Sequence, residues 1–168
     1  MLRFFITQGL LHVFFIFTVV NSENQIYTPK NILVTGGCGF IGSNFINQIN
    51  QSRAFNLACL DKLDYCARVD HITAPCRIYI GDINNVNLVM KILIENQIDT
   101  VVHFAAQSHV DNSFGNSLQF TYDNVLGTHA LIETCRTYGK IKRFIHNKNV
   151  NIKFFYHPFC NFTVSIFT

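Results

Sequence analysis

The sequence is poor in charge: only 14% of its 168 residues are Asp, Glu, Lys or Arg, against an average of about 25%. Thirteen Lys+Arg against ten Asp+Glu give a net charge of +3, and only Lys140, Lys142 and Arg143 cluster. No basic stripe is present to track a phosphate backbone, so nucleic-acid binding is not expected. Three prolines and nine glycines exclude collagen-like and fibrous classes, and no internal repeat is visible. Six cysteines (Cys38, Cys59, Cys66, Cys76, Cys135, Cys160) include no C-x-x-C pair, so zinc-ribbon spacing is absent and no metal site is expected. Acidic residues stop at Glu133. What the chain has in quantity is apolar side chains, 49% hydrophobic and 14% aromatic. That composition is incompatible with disorder over most of its length, and the length suits one ordinary domain.

Cys59 and Cys135 stand in apolar stretches and are expected as small core residues with free thiols. Free thiols favour a reducing compartment. The first 22 residues pull the other way. Arg3 precedes the apolar run Leu10 to Val20, and Asn21-Ser22 follows, the layout of a secretory signal. The run is short for a membrane span, which needs about 20 apolar residues. Two readings of 1–22 stand: a signal or short anchor, or a mis-assigned start. The sequons Asn50-Gln51-Ser52 and Asn161-Phe162-Thr163 are short patterns that recur by chance. Residues 147–168 contain five Phe and four Asn with neither helical nor alternating periodicity. They are expected to form an aberrant, unstructured tail.

The ordered region is expected over residues 31–146. Asn31 to Val34, Asn56 to Leu60, Arg77 to Ile80, Thr100 to Ala106 and Arg143 to His146 are short apolar runs that predict five strands. Phe45, Ile46 and Ile49, then Val86 to Asn96, then Leu118 to Tyr138 carry helical spacing between them. Strands alternating with helices imply βαβ units, and continuous apolar strands imply burial on both faces. The expected fold is therefore α/β, a Rossmann-like doubly wound parallel sheet truncated after about the fifth strand.

Glycines 36, 39 and 42 lie between the first strand and the first helix. Gly36 suits a tight turn, Gly39 lets a pyrophosphate approach the backbone, and Gly42 lets helix and strand pack closely. Free N–H groups at the helix start then hold phosphate. Asp61 closes the second strand 25 residues after Gly36, the place of a carboxylate that binds adenine-ribose hydroxyls. That carboxylate repels a 2′-phosphate, so NAD is favoured over NADP, although the neighbouring Lys62 weakens the preference.

With these residues in view, the chain resembles a family. Thr35-Gly36-Gly37-Cys38-Gly39-Phe40-Ile41-Gly42 is the G-x-x-G-x-x-G turn of extended short-chain dehydrogenases/reductases. Leu60-Asp61-Lys62-Leu63-Asp64-Tyr65-Cys66-Ala67, Gly81-Asp82-Ile83, His103 to Asp111 and Phe120 to Thr128 are similar to dTDP-glucose 4,6-dehydratases, with the Asp61–Ala67 form closest to the animal branch. The resemblance covers about residues 31–146. It implies that Phe40 and Ile41 meet the pyrophosphate through their backbone, and that Asp61, Lys62, Leu63 and Asp64 surround the adenosine ribose. Asp82 and Ile83 would then contact the adenine. Phe104, Ala105, Ala106, Gln107 and Ser108 would line the nicotinamide side, Ser108 would also touch the nucleotide sugar, and Asp123 would contact the cofactor again. The resemblance further implies a dTDP-glucose-like substrate, a homodimer and a cytoplasmic location. His103, in mid-strand, is expected in the core. His109 and Asp111 are each open to a structural or a functional role.

The resemblance breaks after His146. The family continues with a Ser-Thr-Asp-Glu-Val-Tyr-Gly segment and a Tyr-x-x-x-Lys pair, which supply hydride removal at sugar C4 and elimination across C5 and C6. Here Asn147-Lys148-Asn149-Val150 follows, and Tyr156 has Cys160 four residues on. No catalytic residue is assigned within the chain. The interval between Asp61 and Asp82 also looks too short for the family's helix. A catalytically incomplete, NAD-binding dehydratase-like chain is expected. The alternatives are a non-catalytic NAD-binding remnant acting through a partner, or another nucleotide-sugar epimerase or decarboxylase of the superfamily.

Overall fold

The computed structural model describes residues 27–52, 55–107, 116–147 and 163–167. The apolar runs form strands β1 (Asn31–Thr35), β2 (Asn56–Asp61), β3 (Arg77–Ile80), β4 (Thr100–His103) and β5 (Arg143–Asn147), and a further strand β6 spans Thr163–Phe167. They pair in the order β3-β2-β1-β4-β5-β6, with every pairing parallel. Parallel neighbours need crossovers. Helix α1 (Phe40–Ile49) carries the chain from β1 to β2, and α2 (Val86–Glu95) from β3 to β4. A longer run, α3 (Ser117–Thr121), a π-helical segment (Tyr122–Leu126) and α4 (Gly127–Tyr138), leads to β5. Between β2 and β3 stands only a short 3-10 turn, Val69–His71, which accounts for the short Asp61–Asp82 interval.

The strands are apolar on both sides because helices cover both sides. Leu33, Ala58, Leu60, Val101 and Phe144 face one way, onto Val89, Ile92 and Leu93 of α2 and Leu131 and Cys135 of α4. Their strand neighbours Ile32, Val34, Leu57, Cys59, Val102 and Ile145 face the other way, onto Phe45, Ile46 and Ile49 of α1. The two sets alternate along each strand, as the period of two demands. Burial of each large side chain contributes about 1.5–3 kcal/mol. The free, buried thiols of Cys59 and Cys135 sit in these layers as expected. Among the described residues no helix is long and apolar enough to cross a membrane.

His103 is fully buried, as its mid-strand position predicts. Its Nδ1 lies 2.6 Å from Thr35 Oγ1 and its Nε2 lies 2.9 Å from Thr128 Oγ1. The imidazole thus ties β4 to β1 on one side and to α4 on the other. Burial, helped by the nearby His146, pushes its pKa down to about 3, so the ring stays neutral. At the opposite end of the sheet, Asp99 accepts from Tyr27 Oη at 2.5 Å and from the Asn31 backbone N–H at 3.0 Å. This fixes the entry into β1 against β4.

The tail departs from expectation at one place. Thr163–Phe167 is β6, a strand paired with β5 from Arg143↔Thr163 to Asn147↔Phe167, so part of 147–168 joins the edge of the expected five-stranded parallel sheet. Three of its five residues, Thr163, Val164 and Ile166, are β-branched, which suits extended backbone. The open edge of β5 supplies a row of unpaired N–H and C=O groups for it to join. Five residues are too few to show a periodicity above the irregular stretch before them. Residues 1–22 lie outside the described residues.

Candidate functional site: a cleft at the carboxyl ends of β1, β2 and β4

The chain leaves β1 for β2 and β3 on one side, then returns to β4 on the other. The loops after β1 and β4 therefore part, and a crevice opens at the carboxyl ends of the strands, the usual ligand position in such sheets. The glycine turn forms its floor. Gly36 has φ +71°, and a Cβ on it would stand 2.5 Å from the Ala105 backbone nitrogen. Only glycine fits both the left-handed backbone and the approach of the β4 exit. A Cβ at Gly42 would strike the Gly36 carbonyl oxygen, so α1 packs directly on the turn. At Gly39 a Cβ would meet nothing nearer than 3.4 Å, and that residue faces the cleft. Gly39 is also the N-cap of α1, with no side chain capping the helix and no acidic residue in its first turn. Uncapped N–H groups and the positive helix end suit an anionic group there.

Asp61, the last residue of β2, is only 7% exposed. One carboxylate oxygen accepts from the Cys38 backbone N–H at 2.9 Å, and the other from the Leu63 backbone N–H at 2.8 Å. The first bond holds the glycine turn against β2. The second holds Leu63 in a left-handed conformation, φ 58°, which is costly for a branched side chain. Each oxygen keeps a lone pair for a ligand, since a carboxylate has about four acceptor sites.

Across the cleft a polar network joins three elements. Lys62 Nζ lies 2.7 Å from Asp123 Oδ2 and 3.3 Å from Asp64 Oδ2. Gln107 Nε2 donates to Asp64 Oδ2 at 2.5 Å and to Asp123 Oδ2 at 3.1 Å. Gln119 Nε2 donates to Asp123 Oδ1 at 3.0 Å. Burial works against the charge on Lys62, but its bonds and proximity to Asp123 and Asp64 win and raise its pKa. The Tyr65 backbone N–H on Asp64, opposed by partial burial and aided by Gln107 and Lys62, holds the Asp64 carboxyl below the usual range. The π-helical segment makes this possible, because it buries two successive residues, Asp123 and Asn124. Such segments are frequent at functional sites. Asn124 then pairs reciprocally with the Gln107 backbone, accepting from its N–H at 2.7 Å and donating to its carbonyl at 3.0 Å.

Of the residues the sequence singled out, Gly36, Gly39, Asp61, Lys62, Asp64, Asp82, Ile83, Phe104, Ala105, Ala106, Gln107 and Asp123 line this one cleft. Gly42 lies beneath it, buried in the turn. The side chains of Phe40 and Ile41 point to solvent, which leaves their backbone at the helix start as their means of contact. Leu63 is not brought to the cleft and packs instead against the α1-side core. Ser108, with His109 and Asp111, lies outside the described residues. Sequence reasoning did not assign Leu60, Tyr65, Cys66, Ala67 and Gly81, which also line the cleft, nor Asn124. Leu60, Tyr65 and Gly81 each adjoin an assigned residue, and Cys66 and Ala67 continue the same loop after Asp64. Asn124 adjoins the assigned Asp123, but its bonds to the Gln107 backbone, 17 residues away in sequence, are made only by the fold. Among the described residues no cluster of His, Cys, Asp or Glu is arranged to hold a metal ion.

Comparison with known proteins bears on what this cleft is. Over 126 residues, 71% of this chain, it is 49% identical to a trifunctional UDP-glucose 4,6-dehydratase, 3,5-epimerase and reductase of Arabidopsis thaliana, of which it covers 19%. It is 38% identical over 123 residues to the human dTDP-D-glucose 4,6-dehydratase, 70% of this chain and 35% of that one. The crystal structure of the dTDP-glucose 4,6-dehydratase of Streptomyces venezuelae, determined with NAD bound, superposes with a TM-score of 0.65 at 35% identity, covering 70% of this chain and 38% of that one. The chain thus spans between about a fifth and two fifths of the length of these relatives. Residues 33–148, from within β1 to just past β5, match the family described as GDP-mannose 4,6 dehydratase. The glycine turn, strands β2 to β5 and the strand exits that form the cleft all fall inside that match, and the chain belongs to the GDP-mannose 4,6 dehydratase family.

Proposed function

We propose that the cleft binds NAD and that the chain is the cofactor-binding part of a nucleoside-diphosphate-glucose 4,6-dehydratase. The observation that carries this reading is the convergence of Asp61, the open turn at Gly39 and the small Ala105 and Ala106 on one cleft. The donor set fits the cofactor. A buried carboxylate offers acceptors to two vicinal hydroxyls, the start of α1 offers N–H groups to a pyrophosphate, and two alanines leave room beside β4 for a flat ring. Bound NAD supplies reversible hydride uptake. The chain's own part is to hold the ribose at Asp61, to seat the phosphates over Gly39 to Gly42, and to fix the β4 exit through Asn124. The plant relative acts on a UDP-sugar and the human one on a dTDP-sugar, so the substrate proposed is a pyrimidine-nucleotide glucose. A homodimer acting in the cytoplasm, which the sequence resemblance implies, completes the proposal.

After His146, where the family carries them, the sequence has neither a Tyr-x-x-x-Lys pair nor any Asp or Glu. Loss of a general acid or base costs about 10²–10⁴-fold for each group. The chain as given is therefore expected to bind NAD and to turn over no sugar. Calorimetry with NAD tests the first half, and an absence of binding by folded protein refutes it. Incubation with NAD and either UDP-glucose or dTDP-glucose tests the second, and any 4-keto-6-deoxy product above a no-enzyme control refutes it. The missing acid and base also favour a second reading, an NAD-binding module that acts through a partner. Binding without turnover that persists after residues carrying the pair are supplied in trans would select it.

A further inference from the structure

We propose that Asp123 is the residue that makes the cleft reject a 2′-phosphorylated dinucleotide, by holding the Lys62 ammonium out of reach of that phosphate. The inference rests on reading the cleft as an NAD site. Lys62 directly follows the ribose-facing Asp61, and among the described residues it is the cation that lines the cleft. Left free, it would offer a 2′-phosphate a counter-charge and offset the repulsion from Asp61. It is not free. Its Nζ is bound at 2.7 Å to Asp123 and at 3.3 Å to Asp64. Asp123 cannot easily swing to follow it. Its side chain is 7% exposed, Gln119 holds one oxygen at 3.0 Å and Gln107 holds the other at 3.1 Å. Asp123 also sits in the π-helical segment, whose backbone is pinned to the β4 exit by Asn124.

Charge counting gives the direction. Among the described residues that line the cleft, Asp61, Asp64, Asp82 and Asp123 bring four negative charges against the single positive charge of Lys62. A 2′-phosphate, carrying about −1.5 to −2 at neutral pH, meets a net negative wall. The residue type at position 62 thus misleads: a lysine beside the ribose carboxylate argues for tolerance of the phosphate until its partners are seen.

The test measures NAD and NADP affinity by calorimetry on the full chain carrying Asp123→Asn, Asp64→Asn, or Asp123→Asn with Lys62→Met. Asp123→Asn keeps the shape and removes one charge, releasing Lys62. The ratio Kd(NADP)/Kd(NAD) is expected to fall by about tenfold, the effect of one unit charge in a partly screened site. Lys62→Met on that background is expected to restore most of the ratio. Asp64 is more exposed, so Asp64→Asn is expected to lower the ratio by about threefold, and it carries the test if Asp123→Asn does not fold. An unchanged ratio in the folded aspartate variants overturns the inference, as does a shift that survives Lys62→Met. A purely structural role for Asp123 would weaken both dinucleotides equally and leave the ratio fixed. Wild-type protein that binds NADP as well as NAD overturns this inference alone, whereas wild-type protein that binds neither overturns the function proposed for the cleft as well.

Discussion

Replacing Asp61 by alanine should be felt twice, once in stability and once in affinity, and the structure separates the two. The carboxylate takes the Cys38 N–H at 2.9 Å and the Leu63 N–H at 2.8 Å, at a site only 7% exposed. Hydrogen bonds to a charged group contribute about 1.5–3 kcal/mol each, so the two together set a ceiling of about 3–6 kcal/mol. Part of this is recovered. Water reaches the half-buried Leu63 N–H, and Leu63, released from its left-handed backbone at φ 58°, regains about 1–2 kcal/mol. A net loss of about 2–4 kcal/mol is expected, which lowers the melting temperature by about 5–15 °C for a chain of this size. Separately, the NAD complex should lose its ribose hydrogen bonds, about 1–3 kcal/mol or roughly a tenfold to hundredfold rise in Kd. Denaturant unfolding followed by circular dichroism gives the first quantity, and calorimetry well below the new melting temperature gives the second. A stability change under about 0.5 kcal/mol, the scatter of ordinary surface substitutions, would show that the carboxylate does not tie the two loops. Unchanged NAD affinity in the folded variant would refute the ribose assignment.

Gly36→Ala places a Cβ 2.5 Å from the Ala105 nitrogen at φ +71°. It should abolish NAD binding and cost at least about 1–2 kcal/mol from backbone strain alone. A variant with wild-type melting and affinity would refute the reading of the turn. Asn124→Ala removes both bonds to the Gln107 backbone. It should destabilise by about 1–3 kcal/mol and speed amide exchange at Gln107, so unaltered exchange there counts against it. His103 predicts the response to acid. Its folded pKa of about 3 lies below the ordinary 6.5, so the unfolded chain binds a proton that the folded chain refuses. Its contribution is fully present above pH 6.5 and is lost as pH falls toward 3, at about 1.4 kcal/mol per pH unit. In His103→Gln that slope should flatten between pH 6 and 4, and an identical slope in both proteins refutes the assignment.

The strands and crossovers were legible in the sequence because they depend on local pattern. Apolar runs at β1, β2 and β4, helical spacing at Phe45, Ile46 and Ile49, and the glycine triplet each carry their meaning within a few residues. The same holds for Asp61, whose place at a strand end after such a turn is a matter of spacing. β6 was not legible, since a five-residue segment acquires its structure from the edge it meets. Leu63 shows the limit within a single loop. Its neighbours Lys62 and Asp64 face the cleft, but its left-handed backbone turns it to the core. Lys62 shows the limit in chemistry. By its type and position it offers a phosphate a positive charge, and only the fold brings Asp123, 61 residues away, to within 2.7 Å of it. Sequence order determines which charges the chain carries and which strand exits bear them. Which charges remain available to a ligand is decided by long-range neighbours, because an ion pair forms between groups adjacent in space whatever their separation along the chain.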